Sequence, residues 1–176
     1  EVSRILNDMS PDDRTEMLDE LPPQVAKQLL QYLSPEERKV TLTLLGYPEN
    51  SVGRLMTPDY VAVNQNWTVQ ETIEFIRKYG QDKETLNALY VIDPKGYLLD
   101  DLNIRQFILA QPEVKVADLM DRNYLALKAT DDQELAAELF KKYDLIALPV
   151  TDSSGVLIGI VTVDDVIDVV VEEATE

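Results

Sequence analysis

Two residue types are missing from this sequence altogether: it contains no cysteine and no histidine. The first absence excludes disulfides, thiolate metal sites and a cysteine nucleophile; the second removes the usual nitrogen ligand and the usual general base. Zinc centres and Ser-His or Cys-His catalysis go with them, so any metal must be a hard cation held by oxygen, and no catalytic residue is expected. Aromatic residues make up only 7% of the chain, with a single Trp. Positive charge is short as well: 16 Lys and Arg stand against 33 Asp and Glu, a formal net charge of −17. Such a surface repels nucleic acid and anionic lipid and draws cations or basic partners. No apolar run approaches the ~20 residues that span a bilayer, and the first residues do not read as a signal peptide. The chain starts at Glu1 rather than Met and stops at Glu176 inside a helical pattern, so it is expected to be a piece of a longer protein.

What is there is a respectable core, 45% of 176 residues being hydrophobic, and two kinds of repetition. Ser10-Pro11-Asp12-Asp13-Arg14 and Ser34-Pro35-Glu36-Glu37-Arg38 each place a Ser N-cap before a first-turn Pro and two acids. Apolar residues follow at helical spacing (Met17, Leu18, Leu21; Val25, Leu29, Leu30; Val40, Leu44, Leu45), predicting short amphipathic helices stacked as a small superhelix over 1–50. Gly46-Tyr47-Pro48-Glu49-Asn50 reads as the linker that follows.

The second repetition is larger. Leu55 to Tyr79 aligns without a gap on Leu119 to Tyr143, with identities at Leu55/Leu119, Met56/Met120, Tyr60/Tyr124, Ala62/Ala126, Glu74/Glu138, Lys78/Lys142 and Tyr79/Tyr143. After five extra residues in the first copy, Ala88 to Val91 falls on Ala147 to Val150, with Asp93/Asp152 and Gly96/Gly155 in step. Each copy predicts a strand (Val61 to Val63; Leu125 to Leu127), a helix (Val69 to Tyr79; Gln133 to Tyr143), a hairpin with an Asp-x-x-Gly turn and a closing helix. The fold class is therefore α+β: an all-α superhelical domain at 1–50, then two β-α-β-β-α units at 51–114 and 115–176. Sheets this small must pack on one another, around a pseudo-two-fold axis.

Here the residues resemble known families. Leu55-Met56-Thr57-Pro58, Tyr143-Asp144-Leu145-Ile146-Ala147-Leu148-Pro149-Val150 and Gly159-Ile160-Val161-Thr162-Val163-Asp164-Asp165-Val166 look like CBS motifs over about 120 residues. With the Ser-Pro-Glu-Glu-Arg helices, the run from Tyr47 to Pro58 and the tail from Thr162 to Val169, essentially the whole chain resembles the cytosolic half of the MgtE magnesium transporters. That resemblance implies a homodimer on the cytoplasmic side of a bacterial cell membrane. It implies Mg²⁺ bound among acids between the helical domain and the CBS pair, holding a closed state, and a helix beyond the second CBS motif leading to a transmembrane pore domain.

The residues themselves support part of this. In the last helix Asp164, Asp165, Asp168, Glu172, Glu173 and Glu176 carry negative charge, and no positive residue follows Lys142. Asp165, Asp168, Glu172 and Glu176 fall within roughly 80° of one another at 100° per residue, one stripe of like charge against the helix dipole. A divalent cation would relieve both costs, and Mg²⁺ suits carboxylate oxygens while keeping several waters; a plain solvated face is the alternative. Asp144 follows a helix C-terminus, where an acid is misplaced, and reads as a turn residue or as a ligand beside Asp165 or Asp168. Asp8, Asp12 and Asp13 are the counterparts in the helical domain, although Asp12 and Asp13 are equally explained as first-turn acids. Thr162 and Asp165, in Gly159-x-x-Thr162-x-x-Asp165, resemble the CBS segment that contacts ribose and phosphate of ATP or AMP; the first copy has Asp100, Asn103 and Gln106 there. A rival reading is therefore an adenine-nucleotide sensor for another enzyme or channel, and a third is an acidic adaptor for a basic partner. Trp67 reads as a packing anchor at the domain seam, and Met56 and Met120 as core or interface filler.

Overall fold

The structure, a computed structural model, describes residues 1–48 and 50–167. Four helices come first: α1 (Val2–Asp8), α2 (Pro11–Glu20), α3 (Pro23–Leu30) and α4 (Pro35–Leu45). The repeated Ser-Pro-acid-acid-Arg device does more than start α2 and α4. Arg14 turns back to the end of α1, donating to the carbonyls of Leu6 at 2.8 Å, Asn7 at 3.2 Å and Met9 at 2.8 Å. Arg38 does the same to the end of α3, donating to Leu30 at 3.0 Å, Gln31 at 3.1 Å and Leu33 at 3.3 Å. The sequence offsets are identical in the two cases, so each arginine supplies the cation and donors that orphan carbonyls at a helix C-terminus call for. Arg14 is wholly buried and is completed by Glu37 at 2.8 Å and Thr41 at 3.1 Å on α4. At the N-caps the copies differ: the Ser34 hydroxyl accepts the Glu37 N–H, whereas Ser10 makes no such bond and its hydroxyl goes to Asp12.

Each CBS copy forms a three-stranded sheet. In the first, β1 (Val61–Val63) pairs in parallel with β2 (Ala88–Ile92), which pairs antiparallel with β3 (Leu98–Asn103). In the second, β4 (Leu127–Lys128), β5 (Ala147–Thr151) and β6 (Leu157–Thr162) repeat that order, with a bulge at the matching place in each hairpin. α5 (Val69–Tyr79) and α8 (Gln133–Lys142) are the crossovers. α6 (Ile104–Leu109) closes the first copy, the short α7 (Val116–Leu119) opens the second, and residues 163–167 begin its closing helix. The predicted spans agree for β1 and α5, but β4 begins at Leu127 rather than Leu125. The hairpin turns are matched pairs: Asp93 and Asp152 each accept two backbone N–H groups, and Gly96 and Gly155 take φ of 92° and 98°, a region that disfavours side chains.

The two sheets meet through reciprocal contacts. Leu98 N–H donates to Gly155 O at 3.1 Å and Leu157 N–H to Gly96 O at 3.0 Å. The Tyr60 hydroxyl reaches Leu157 O at 3.3 Å, and its counterpart Tyr124 reaches Leu98 O at 3.1 Å. Tyr90, Leu98, Ala147, Leu157 and Ile160 fill the space between. Trp67 packs against the core of the first copy, its ring 5.0 Å from that of Phe75.

Within the segment expected to be a linker, Tyr47 and Asn50 take part in a packed joint that continues through Ser51 to Arg54. Tyr47, Val52 and Leu44 share one core with Met56, Leu127, Leu148 and Val150. Val52 and Gly53 donate to Asp131 O and Ala129 O at 2.8 Å each, Gln133 N–H donates to Asn50 O at 2.9 Å, and Arg54 pairs with Asp19 of α2. A Cβ on Gly53 would meet the Tyr47 ring at 2.5 Å, so only glycine fits there.

Arg14 yields a direct test of the helical repeat. Arg14→Ala leaves three carbonyls and Glu37 without their buried donor, and about 3 kcal/mol of stability is expected to be lost in urea unfolding followed by circular dichroism. A variant within about 0.5 kcal/mol of the parent would show that the arginine does not hold the helices.

Candidate functional site

At the joint, acidic side chains from several elements face one another. The first turn of α2 brings Asp12, half-buried, and Asp13, exposed. The segment before β1 brings Asp59, whose carbonyl accepts the Glu84 N–H at 2.8 Å, fixing those two residues side by side. The start of the last helix brings Asp164 and Asp165, and the Asp165 carboxylate accepts the Thr162 hydroxyl at 3.0 Å.

Burial raises Asp12, Asp59, Glu84 and Asp165, and like charge raises them further. Asp165 is pushed to about 6, by desolvation first and then by Asp12, with Glu84 and Asp13 adding and the Thr162 hydrogen bond opposing. Glu84 is raised by desolvation and then by Asp12, Asp59, Asp13 and Asp164. Desolvation also raises Asp12, the Ser10 hydrogen bond opposing it and Asp13 adding, and raises Asp59, where Glu37 of α4 adds and Lys83 opposes. At neutral pH the Asp165 charge is therefore carried at a cost, held to about 1–3 kcal/mol by solvent screening at this partly exposed group. The helical domain and the CBS pair thus meet across a band of negative charge with little to offset it.

The expected ligands divide. Asp12, Asp13 and Asp165 meet here. Asp8 ends α1 exposed, and is not among the charges that principally act on Asp165 or Glu84. Asp168, Glu172, Glu173 and Glu176 lie outside the described residues. Asp144 is exposed and stands in a different place from Asp165. Asp59 and Glu84 were not expected. The available signal for Glu84 was the five-residue insertion that breaks the internal symmetry, because Glu84 lies within it. Among the described residues no three acidic side chains converge closely enough to enclose one metal ion.

Asp144 lines a second feature, a cleft of about 270 Å³ between the copies. Its walls are Asn87 and Ala88, Asp101 to Asn103 with Gln106, Leu119 with Asp121, and Asp144 to Ala147. Asp101 is pushed up to about 6 by desolvation and then by Asp100 and Asp121, its own backbone opposing. Under the internal pairing Asn103, Gln106 and Asp121 correspond to Thr162, Asp165 and Thr57, so the acidic joint occupies the symmetry-related position. One member of the pair is open; at the other, Asp165 faces Asp12 and Asp13.

Family models add to this. CBS domain models match residues 52–110 and 116–172, and the MgtE intracellular N domain matches residues 1–50. Fold and site together define a CBS-pair protein with a helical domain docked on the pair. The chain is 40% identical over 171 residues to the magnesium transporter MgtE of Bacillus subtilis (97% of this chain, 38% of the relative). It is 46% identical over 133 residues to that of Thermus thermophilus (76% and 30%). A crystal structure described as the cytosolic domain of the Mg²⁺ channel MgtE in complex with ATP superposes with a TM-score of 0.93 at 40% identity, over 96% of this chain and 69% of that one. The chain belongs to the MgtE family, and it spans 30% and 38% of the two curated relatives.

The raised carboxylates set the sign of a pH effect. A carboxylate whose folded value lies above its ordinary 3.8 contributes stability that is full below the ordinary value and lost as pH rises through about 6. In EDTA, thermal unfolding is therefore expected at a higher temperature at pH 5.5 than at pH 7.5. Asp165→Asn should gain about 1–3 kcal/mol at pH 7.5 and flatten that dependence, leaving the part due to Asp101 and the other raised carboxylates. A steeper dependence in the variant, or a loss of stability at pH 7.5, would contradict the charge balance described above.

Proposed function

We propose that this chain is the Mg²⁺-sensing cytoplasmic part of a magnesium transporter, in which Mg²⁺ draws the helical domain onto the CBS pair and so favours a closed pore. The observation that carries the reading is the acidic band at the joint, where Asp12 and Asp13 of α2 oppose Asp165 and Glu84 of the CBS pair, with Asp59 held beside Glu84. Mg²⁺ keeps most of its water and takes one or two protein ligands, so a bridge through hydrated ions needs no enclosing cage of three acids. Without it the carboxylates repel and the joint opens; with it their charge is neutralised and the packed Val52 core and the Arg54 pair with Asp19 hold the domains together. Asp168 and the Glu172, Glu173 and Glu176 tail would extend the band toward the pore domain. Exposed Ile108, Leu109 and Leu135 are available as apolar contacts for a homodimer. The role is regulatory, with no chemical step.

Small-angle scattering tests this reading. Millimolar MgCl₂ is expected to reduce the radius of gyration, NaCl of equal ionic strength is not, and Asp12→Asn with Asp165→Asn should abolish the response. No compaction in the parent chain, or the same compaction with NaCl, would sink the bridge.

A second reading concerns the open cleft, which we propose as the place for an adenine nucleotide. Ala88, Leu119 and Ile146 give it apolar walls for a base, while Asp101 and Asn103 can accept or donate to ribose hydroxyls. The relative that superposes at a TM-score of 0.93 is described in complex with ATP. Of the other candidates, Asp165 lies close to Asp12 and Asp13 of α2, and the Thr162 hydroxyl is spent on Asp165. Calorimetry is expected to show ATP binding that Asp101→Ala weakens and Thr162→Ala does not; the reverse pattern would move the nucleotide to the joint.

A further inference from the structure

Asp100 is wholly buried, with 0% of its surface exposed, at a position where the second copy has Gly159. Glycine there lets Met56 pack close, since a Cβ would meet the Met56 Sδ at 2.9 Å. Next to it, the segment entering the first copy is tied to the second sheet by a reciprocal backbone pair: Thr57 N–H to Ile160 O at 2.8 Å and Ile160 N–H to Thr57 O at 2.9 Å. The corresponding residues on the other side are Asp121 and Asp101. There the Asp121 N–H goes to Asp100 Oδ2 at 2.9 Å, together with the Arg122 N–H at 3.0 Å, while Oδ1 takes the Asp101 N–H at 2.9 Å. Arg122 has a φ of 60°, a backbone conformation unfavourable for a residue with a side chain, and the Asp100 bond falls on its amide. One carboxylate has replaced a strand bridge, and the connector it carries supplies Leu119 and Asp121 to a wall of the open cleft.

We propose that Asp100 is a positioning residue for the cleft: its carboxylate suspends the connector between the copies where that connector forms the wall against which a nucleotide rests. This builds on the nucleotide reading given above. The role requires two acceptor-only oxygens, which only an ionised carboxylate of this length offers. Asp100→Asn keeps the size but turns one oxygen into a donor facing a backbone donor, so a space-filling residue would tolerate it and a double acceptor would not. Hydrogen exchange on the ligand-free chain is expected to quicken about tenfold or more at the Asp121 and Arg122 amides in Asp100→Asn, with the Val91 amide of β2 unchanged. ATP affinity by calorimetry should fall about tenfold in the same variant. Should Asp100→Asn not fold, Asp100→Gly, which copies the second-copy residue, carries the same two measurements. Unchanged exchange at both amides, or faster exchange with unaltered ATP affinity, overturns the proposal. Failure of the unaltered chain to bind ATP overturns it too, by way of the nucleotide reading, and leaves the exchange result to judge the connector separately.

Discussion

Carboxylates of like sign are held near one another at the joint by contacts that do not involve their charge. The Val52, Leu44 and Tyr47 core, the backbone bonds from Val52 and Gly53 and the Arg54 pair with Asp19 place α2 against the CBS pair. Asp12, Asp13, Asp59, Glu84 and Asp165 are carried along. Two opposing free energies of similar kind result: apolar burial that closes the joint and Coulomb repulsion, amplified by partial desolvation, that opens it. A joint so balanced answers to whatever neutralises the carboxylates, and a soluble cation does so in proportion to its concentration. The strong parts of the interface lie apart from the charged parts, so neutralisation alters the balance without remaking the packing.

The duplicated CBS unit was legible because both copies must bury the same face in the same way. Period-two strands, a helix beginning at Val69 or Gln133 and an Asp-x-x-Gly turn are local features that residue type dictates. Less legible were features that depend on a distant partner. The arginines of the Ser-Pro repeat were visible, but their reach back to carbonyls of the preceding helix is a tertiary contact. Gly46 to Asn50 has the composition of a linker, yet Tyr47 packs into the core, because Gly53 permits its ring to close on the backbone there. Of the site, Asp12, Asp13 and Asp165 could be named from charge and family likeness. Asp59 follows a proline between elements, Glu84 sits in an insertion, and Asp144 lies within a CBS motif yet lines the other cleft. Charge alone does not say which lobe a carboxylate faces.

Duplication also explains why one chain offers two unlike clefts. A pseudo-two-fold pair of sheets generates two equivalent crevices, and equivalence persists only where the copies keep the same residues. Here two departures separate them. The five-residue insertion adds Glu84 on one side, where α2 then docks. The exchange of a glycine for Asp100 on the other side trades a backbone bridge for a side-chain one and leaves the connector forming a wall. The acidic side therefore suits a cation between domains, and the open side suits a small molecule within the pair. Because both crevices end on the same two sheets, tied by Leu98 to Gly155 and Leu157 to Gly96, a ligand that alters the packing between the sheets bears on both. That shared interface is filled by Tyr90, Leu98, Leu157 and Ile160, so both crevices are built on one packed layer and neither can be reshaped without disturbing it.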